Sequence, residues 1–185
     1  MRVVMLGPPA SGKGTQGIRL AEQFGVPHVS SGALLRESME QGDPLGIGAM
    51  VARGELVPDE LVEQVLLPGL GQRFVLDGFP RTATQAARLD SELDGRGLSL
   101  DAAVEITVPE HVLAERMERR AQLENRPDDR PEAFARRIQE YLAEAPELRA
   151  HYDGRLIAVD GGGTPDKVFE LLVAALEGAG ILPAR

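Results

Sequence analysis

Short apolar runs, often β-branched, alternate along this chain with stretches in which apolar residues recur at three- and four-residue intervals. The runs Arg2 to Leu6, Phe74 to Leu76, Ala102 to Val108 and Leu156 to Val159 predict strands, and Pro27-His28-Val29 predicts a short further one. The periodic stretches predict helices over Gly14 to Phe24, Asp59 to Leu70, Thr82 to Leu93, Glu110 to Arg120, Pro131 to Ala143 and Pro165 to Glu177. Apolar strands separated by helices need cover on both faces, so the expected fold is α/β: a parallel five-stranded sheet flanked by helices. Ligands of such sheets sit beyond the carboxyl ends of the strands. The loop after Leu6, the turn at Asp77 and the segment after Val159 should therefore converge.

Two stretches break the pattern. Residues 30 to 57 carry helical patterns interrupted by Gly42-Asp43-Pro44 and Gly54, with too few apolar positions to supply a core layer. Residues 121 to 131 are polar and punctuated by Pro127 and Pro131. Both read as surface flaps inserted into one domain spanning residues 1 to 185, because the chain is short for two independent cores. There is no internal repeat or linker, and the tail from Gly178 is expected to fray.

Charge and composition then remove function classes. A net charge of −9 disfavours nonspecific binding to nucleic acid or anionic membranes, which needs a basic surface. No run of 18 apolar residues occurs, and the N-terminus enters a strand directly, so a soluble cytoplasmic protein is expected. With no cysteine there is no disulfide and no thiolate zinc site. His28, His111 and His151 lack metal-ligand spacing and read as ordinary surface or boundary histidines. Zinc is not expected.

The chemistry begins at Gly7-Pro-Pro-Ala-Ser-Gly-Lys-Gly-Thr15, directly after Val3-Val-Met-Leu6. A buried strand delivers the chain to a glycine-bounded loop whose backbone N–H groups can face phosphate oxygens, and a helix beginning near Lys13 adds its positive end. The chain has 18 arginines and only two lysines, Lys13 and Lys167, so a lysine here is an informative choice. A compact ammonium fits between terminal phosphates as a point charge where a planar guanidinium does not. Gly14 separates Lys13 from the hydroxyl of Thr15, whereas the general pattern has them adjacent.

Asp77-Gly-Phe-Pro-Arg81 follows the strand ending at Leu76. A carboxylate there can hold Mg²⁺ directly or through water. Asp-Gly is also a common turn pair, and that bland reading of Asp77 stays open. No glutamate follows Asp77 to activate water, which favours phosphoryl transfer to an acceptor over hydrolysis. Arginine density is the third feature: residues 116 to 137 hold seven arginines and five acids, net +2 against −11 for the remainder. Arg116 and Arg120, four apart, share a helix face and can reach a nucleotide together. Arg126 lies in the second flap and Arg137 on the next helix, where arginines can stabilise charge on a migrating phosphoryl group. Arg119, Arg130 and Arg136 read as a solvated face.

These motifs, together with Ser30-Ser-Gly-Ala-Leu-Leu-Arg36, Gly54-Glu-Leu-Val-Pro-Asp-Glu60 and Val159-Asp-Gly-Gly-Gly-Thr164, occur in the order and spacing of adenylate kinases. The chain resembles the short-lid type, about ten residues joining the arginine-bearing helices. The resemblance covers nearly its whole length, and it accounts for the displaced Thr15 hydroxyl.

It implies reversible, Mg²⁺-dependent transfer of the ATP γ-phosphoryl group to AMP, giving two ADP, by a monomer whose partners are nucleotides. Ala10, Ser11, Gly12, Lys13, Gly14 and Thr15 would bind ATP phosphates, with Thr15 and Asp77 toward magnesium. Arg120 would contact ATP, Gly163 would offer backbone to its adenine, and Arg116 would pack near that ring. On the acceptor side Ser31 and Gln85 would contact the AMP base, and Arg36 and Arg81 its phosphate. Glu55, Leu56, Val57, Gly78, Phe79 and Pro80 would line the AMP pocket. Lys13, Arg81, Arg120, Arg126 and Arg137 would be catalytic, with Arg126 and Arg137 closing over the phosphates. Residues 30 to 57 would be the monophosphate-binding flap and 121 to 131 the short lid, whose closure excludes water.

Two residues depart from the family pattern. Ala10 stands where glycine is usual, a strained choice if its φ is positive. Ala33 stands where an acid usually orients magnesium-bound water, which puts more weight on Asp77. Two alternatives carry forward. Relatives that phosphorylate UMP or CMP typically have alanine at the position of Ser31 and often asparagine at that of Gln85. A nucleotide-dependent switch of the GTPase kind would need an Asn-Lys-x-Asp motif, which neither lysine provides.

Overall fold

The computed structural model describes residues 1–53, 55, 57–124 and 131–183, with 121–124 described in backbone only. The element order is β1 (Arg2–Leu6), α1 (Lys13–Phe24), β2 (His28–Ser30), α2 (Ser31–Glu40), α3 (Gly48–Ala52), α4 (Asp59–Leu66), β3 (Phe74–Asp77), α5 (Ala83–Gly95), β4 (Ala102–Thr107), α6 (Glu110–Glu124), α7 (Pro131–His151), β5 (Leu156–Asp160) and α8 (Pro165–Gly178). Five parallel strands lie in the order β2-β3-β1-β4-β5. The expected α/β sheet is present, and its register sets the site: Met5 pairs with Asp77, and Leu6 with Glu105. Asp77 is thereby carried to the mouth of the loop that leaves β1.

Alternation along β1 feeds two cores. Val4 and Leu6 join Leu76, Phe79, Leu89, Leu93 and Tyr152, while Val3 and Met5 join Leu20, Phe24, Val104, Leu172 and Leu176 on the other side. Burying strands on both faces explains why they read as continuous apolar runs.

Helix ends differ from expectation where packing or proline decides. α4 stops at Leu66 and continues as a 3₁₀ turn over Leu67–Gly69, with Pro68 near its start. α6 runs on past Arg120 to Glu124. α7 continues through Pro146 to His151, because Ala145 and Leu148 extend the buried face set by Phe134 and Ile138. Residues 30 to 57 also hold more core than their pattern suggested. Leu35, Ile47 and Val57 are buried in the same cluster as Val62 and Leu66. Asp43 turns the Gly42-Asp43-Pro44 break into the entry of α3 by accepting from the backbone N–H of Ile47 at 2.9 Å and Gly48 at 3.0 Å. Among the described residues no helix is long and apolar enough to cross a membrane.

Candidate active site

A cleft of about 940 Å³ opens at the carboxyl ends of β1, β2 and β3, near the upper end of roughly 300–1,000 Å³ for small-molecule sites. The loop after β1 forms its floor. Gly7 sits at φ 139, and a Cβ there would lie 2.7 Å from the Ile106 carbonyl oxygen, so only glycine fits. Gly12, at φ 94, begins α1 with no side-chain cap and no acid in the first turn. The N–H groups of that turn and the helix dipole are left to a ligand of negative charge.

Ala10 adopts φ 63, the left-handed conformation that its departure from glycine made suspect. Its methyl packs on Leu113, Met117, Phe134 and Ile138, the apolar contact between α6 and α7. An alanine at positive φ costs about 1 kcal/mol against glycine, and the methyl contact recovers part of it. Ala10→Gly is therefore expected to raise stability by about 0.5 kcal/mol. The readout is an upward shift of the urea midpoint at unchanged slope; a lower midpoint would mean that the methyl contact outweighs the strain.

Lys13 lines the cleft and donates to the Pro8 carbonyl at 3.2 Å. Burial pulls its ammonium down from 10.5 to about 8, opposed by Asp77 and reinforced by the positive charges of Arg137, Arg81 and Arg120. Cations from α6, α7 and the turn after β3 are thus focused on one lysine. Asp77 abuts the first turn of α1: a Cβ on Gly14 would lie 3.2 Å from its Oδ2. Its Oδ1 is buried with no hydrogen-bond partner among the described residues. Thr15 is exposed and lines the same cleft.

At the other end Ser31 and Gln85 are both buried and line the cleft. Gln85 Oε1 accepts from the Arg81 backbone N–H at 2.7 Å, and its Nε2 donates to Asp59 at 2.6 Å. Arg81 Nε donates to the Gly78 carbonyl at 2.8 Å. Arg36, Glu55, Val57 and Gly78 complete this end. Arg53 and Arg136 both pair with the Glu55 carboxylate and hold it below the usual carboxylate range, Arg53 being the stronger influence.

Opposite lies a third anchor. Arg116 donates to the carbonyls of Ser11 at 3.2 Å, Gly161 at 2.7 Å and Gly163 at 3.2 Å, tying α6 to the phosphate loop and to the segment after β5. Gln16 reinforces that tie by donating to the Pro165 carbonyl at 2.9 Å.

The cleft therefore gathers Ala10, Ser11, Gly12, Lys13, Gly14, Thr15, Ser31, Arg36, Glu55, Val57, Asp77, Gly78, Arg81, Gln85, Arg120, Arg137 and Gly163. Two expected lining residues are not among them. Phe79 is fully buried in the core, and Pro80 lines a separate recess of about 60 Å³ behind the loop. The chain turns inward after Gly78, so the side chain of Phe79 fills the core behind the cleft. Leu56, Arg126 and most of the segment 121 to 131 lie outside the described residues.

Sequence reasoning missed others. His28 lines the cleft, with Nε2 buried and unpartnered among the described residues, and burial lowers its pKa against the pull of Asp77. The strand that carries it ends beside Asp77, the one signal that could have exposed it. Arg119 also lines the cleft, whereas Arg136 pairs with Glu55 and Glu140. Among the described residues no group of three or more His, Asp and Glu side chains could hold a metal alone.

The family model described as "Adenylate kinase" matches residues 5–156. An adenylate kinase of Xanthomonas campestris pv. campestris is 45% identical over 185 residues, covering 95% of this chain and 99% of that protein. An adenylate kinase of Thermus thermophilus is 43% identical over 178 residues, covering 94% and 96% respectively.

Proposed function

This chain belongs to the adenylate kinase family, the ATP:AMP phosphotransferases, and from that membership we propose how its cleft divides the work. The phosphate loop from Ala10 to Thr15, with Arg120 and the Gly163 backbone, forms the ATP half. Ser31, Arg36, Val57, Arg81 and Gln85 form the AMP half. The observation that carries this division is the field at Lys13, where Arg81, Arg120 and Arg137, from separate elements, act on one buried ammonium. Such mutual repulsion suits a site built to be neutralised by several phosphates at once.

In the transfer an AMP phosphate oxygen attacks the ATP γ-phosphorus. The bond to the β-γ bridging oxygen breaks, and its electrons leave on ADP. The attacking oxygen is already anionic, so no general base is required. Lys13 and the arginines stabilise charge on the equatorial oxygens, and an α6–α7 lid closing over them keeps water away. Residues 30 to 57 serve as the monophosphate flap, and 121 to 131 as the lid.

Magnesium fits this chain as a cation brought with the nucleotide. The buried, unpartnered Oδ1 of Asp77 and the exposed Thr15 hydroxyl are the groups that would hold it, directly or through water. When bound it would neutralise negative charge on the phosphates. Ala33 lines the cleft without a carboxylate, so Asp77 acts alone where the family commonly has a second acid. Both nucleotide halves come from one chain, which supports the reading of a monomer, working in the cytoplasm as its sequence suggests.

Purified protein given only ADP and Mg²⁺ is expected to form ATP and AMP in equal amounts. A folded preparation that forms neither would refute the assignment. Screening monophosphate acceptors with ATP then fixes the base, AMP being expected well ahead of UMP and CMP.

A further inference from the structure

Asp59 lies outside the cleft lining, yet its carboxylate accepts a 2.6 Å hydrogen bond from the Nε2 of Gln85. We propose that Asp59 is a specificity-determining positioning residue: together with the Arg81 backbone N–H it fixes which end of the Gln85 amide faces which part of the base. The inference rests on the reading above that Gln85 meets the acceptor base.

The argument is one of polarity. A side-chain amide has two donors and two acceptor positions at nearly isosteric ends, and it can turn over unless its neighbours forbid it. Here each neighbour has a single character. A carboxylate only accepts, and a backbone N–H only donates. Gln85 is buried between them, its Oε1 taking the Arg81 N–H at 2.7 Å. Turning the amide over would set donor against donor at Arg81 and acceptor against acceptor at Asp59. One Nε2–H and one Oε1 position then remain for a ligand, in a fixed order.

That order distinguishes bases. The adenine edge offers an acceptor at N1 beside a donor at the 6-amino group, matching one amide orientation. Hypoxanthine and guanine reverse both positions, with N1–H beside O6, and match only the amide turned over. Uracil is reversed in the same way, while cytosine shares the adenine order and must be rejected by size. Locking the amide therefore adds repulsion against the wrong bases to attraction for the right one.

The test is kcat/KM for AMP and for IMP, with ATP as donor, in the wild type and in Asp59→Asn, Asp59→Glu and Gln85→Ala. Asparagine can donate or accept, so Asp59→Asn frees the amide. Its AMP-to-IMP preference is expected to fall at least about tenfold, with the change in the monophosphate KM and none in the KM for ATP. Asp59→Glu, still only an acceptor, is expected to keep most of the preference. Gln85→Ala is expected to lose it. A preference retained in Asp59→Asn but lost in Gln85→Ala overturns the role of Asp59. A preference retained in Gln85→Ala overturns instead the placement of Gln85 at the base. Thermal unfolding of each variant establishes that the comparison is made on folded protein.

Discussion

Lys13→Met is expected to lower kcat by about 10³-fold while leaving the fold intact. The size follows from removing a preorganised charge at the centre of phosphoryl transfer, where a single such donor is worth about 10²–10³ and an arginine finger more. The stability half follows from the depressed pKa. Lys13 titrates at about 8 in the folded protein and near 10.5 when unfolded. The unfolded chain therefore holds this proton more firmly, and the charge opposes folding at every pH below about 8. That opposition is relieved as pH rises from 8 toward 10.5. Methionine removes it at neutral pH at the expense of the 3.2 Å bond to the Pro8 carbonyl. The relief exceeds the loss of one hydrogen bond of about 1 kcal/mol, so the variant should be at least as stable as wild type at about pH 7.

The same titration gives the wild type a pH signature. Above about pH 8 the free enzyme loses the Lys13 proton, and kcat/KM for ATP should fall as pH rises through that value. In Lys13→Met that inflection should be missing. A methionine variant with near wild-type turnover, or one retaining the inflection, would remove Lys13 from the centre of the reaction.

What could be read from the residues was local or uniform. β1, β3 and β4 announce themselves because burial on both faces makes them mostly apolar, and β5 because Leu156 to Val159 is an apolar run although only Val159 of it is buried. The phosphate loop does so because Gly7 is fixed by close approach and Gly12 by its positive φ. What could not be read depends on distant partners. Nothing near Arg116 indicates that it will satisfy carbonyls at Ser11, Gly161 and Gly163, and nothing near Gln85 indicates Asp59. α7 outlasts its proline for a related reason. The apolar face it lays on the core decides its length, while Pro146 reports only a local preference. His28 was hidden by its neutrality in the pattern: one polar residue opening a three-residue strand looks like a boundary until β2 is set beside β3.

Arg81 links these two kinds of information and supports the second large expectation: Arg81→Lys should lose nearly as much activity as Arg81→Ala. Charge alone would predict rescue by lysine. The geometry does not, because Arg81 is held at two points. Its Nε donates to the Gly78 carbonyl at 2.8 Å, and its backbone N–H donates to Gln85 at 2.7 Å. The first bond fixes the plane of the guanidinium, a constraint that an ammonium on a flexible stem cannot inherit. The second ties Arg81 to Gln85, so that in the proposed assignment one turn sets both the phosphate contact and the base contact. A planar fork can meet two oxygens of a phosphate together, and its loss removes orientation as well as charge. Both variants are expected to lower kcat/KM for AMP by about 10²–10³, with the KM for ATP changing far less. Arg81→Lys should also leave the AMP-to-IMP preference in place, since the backbone N–H that holds Gln85 survives the substitution. Kinetics with AMP varied at saturating ATP decide between the two accounts: recovery to within tenfold of wild type in Arg81→Lys would show that Arg81 acts through its charge and that its fixed plane adds little.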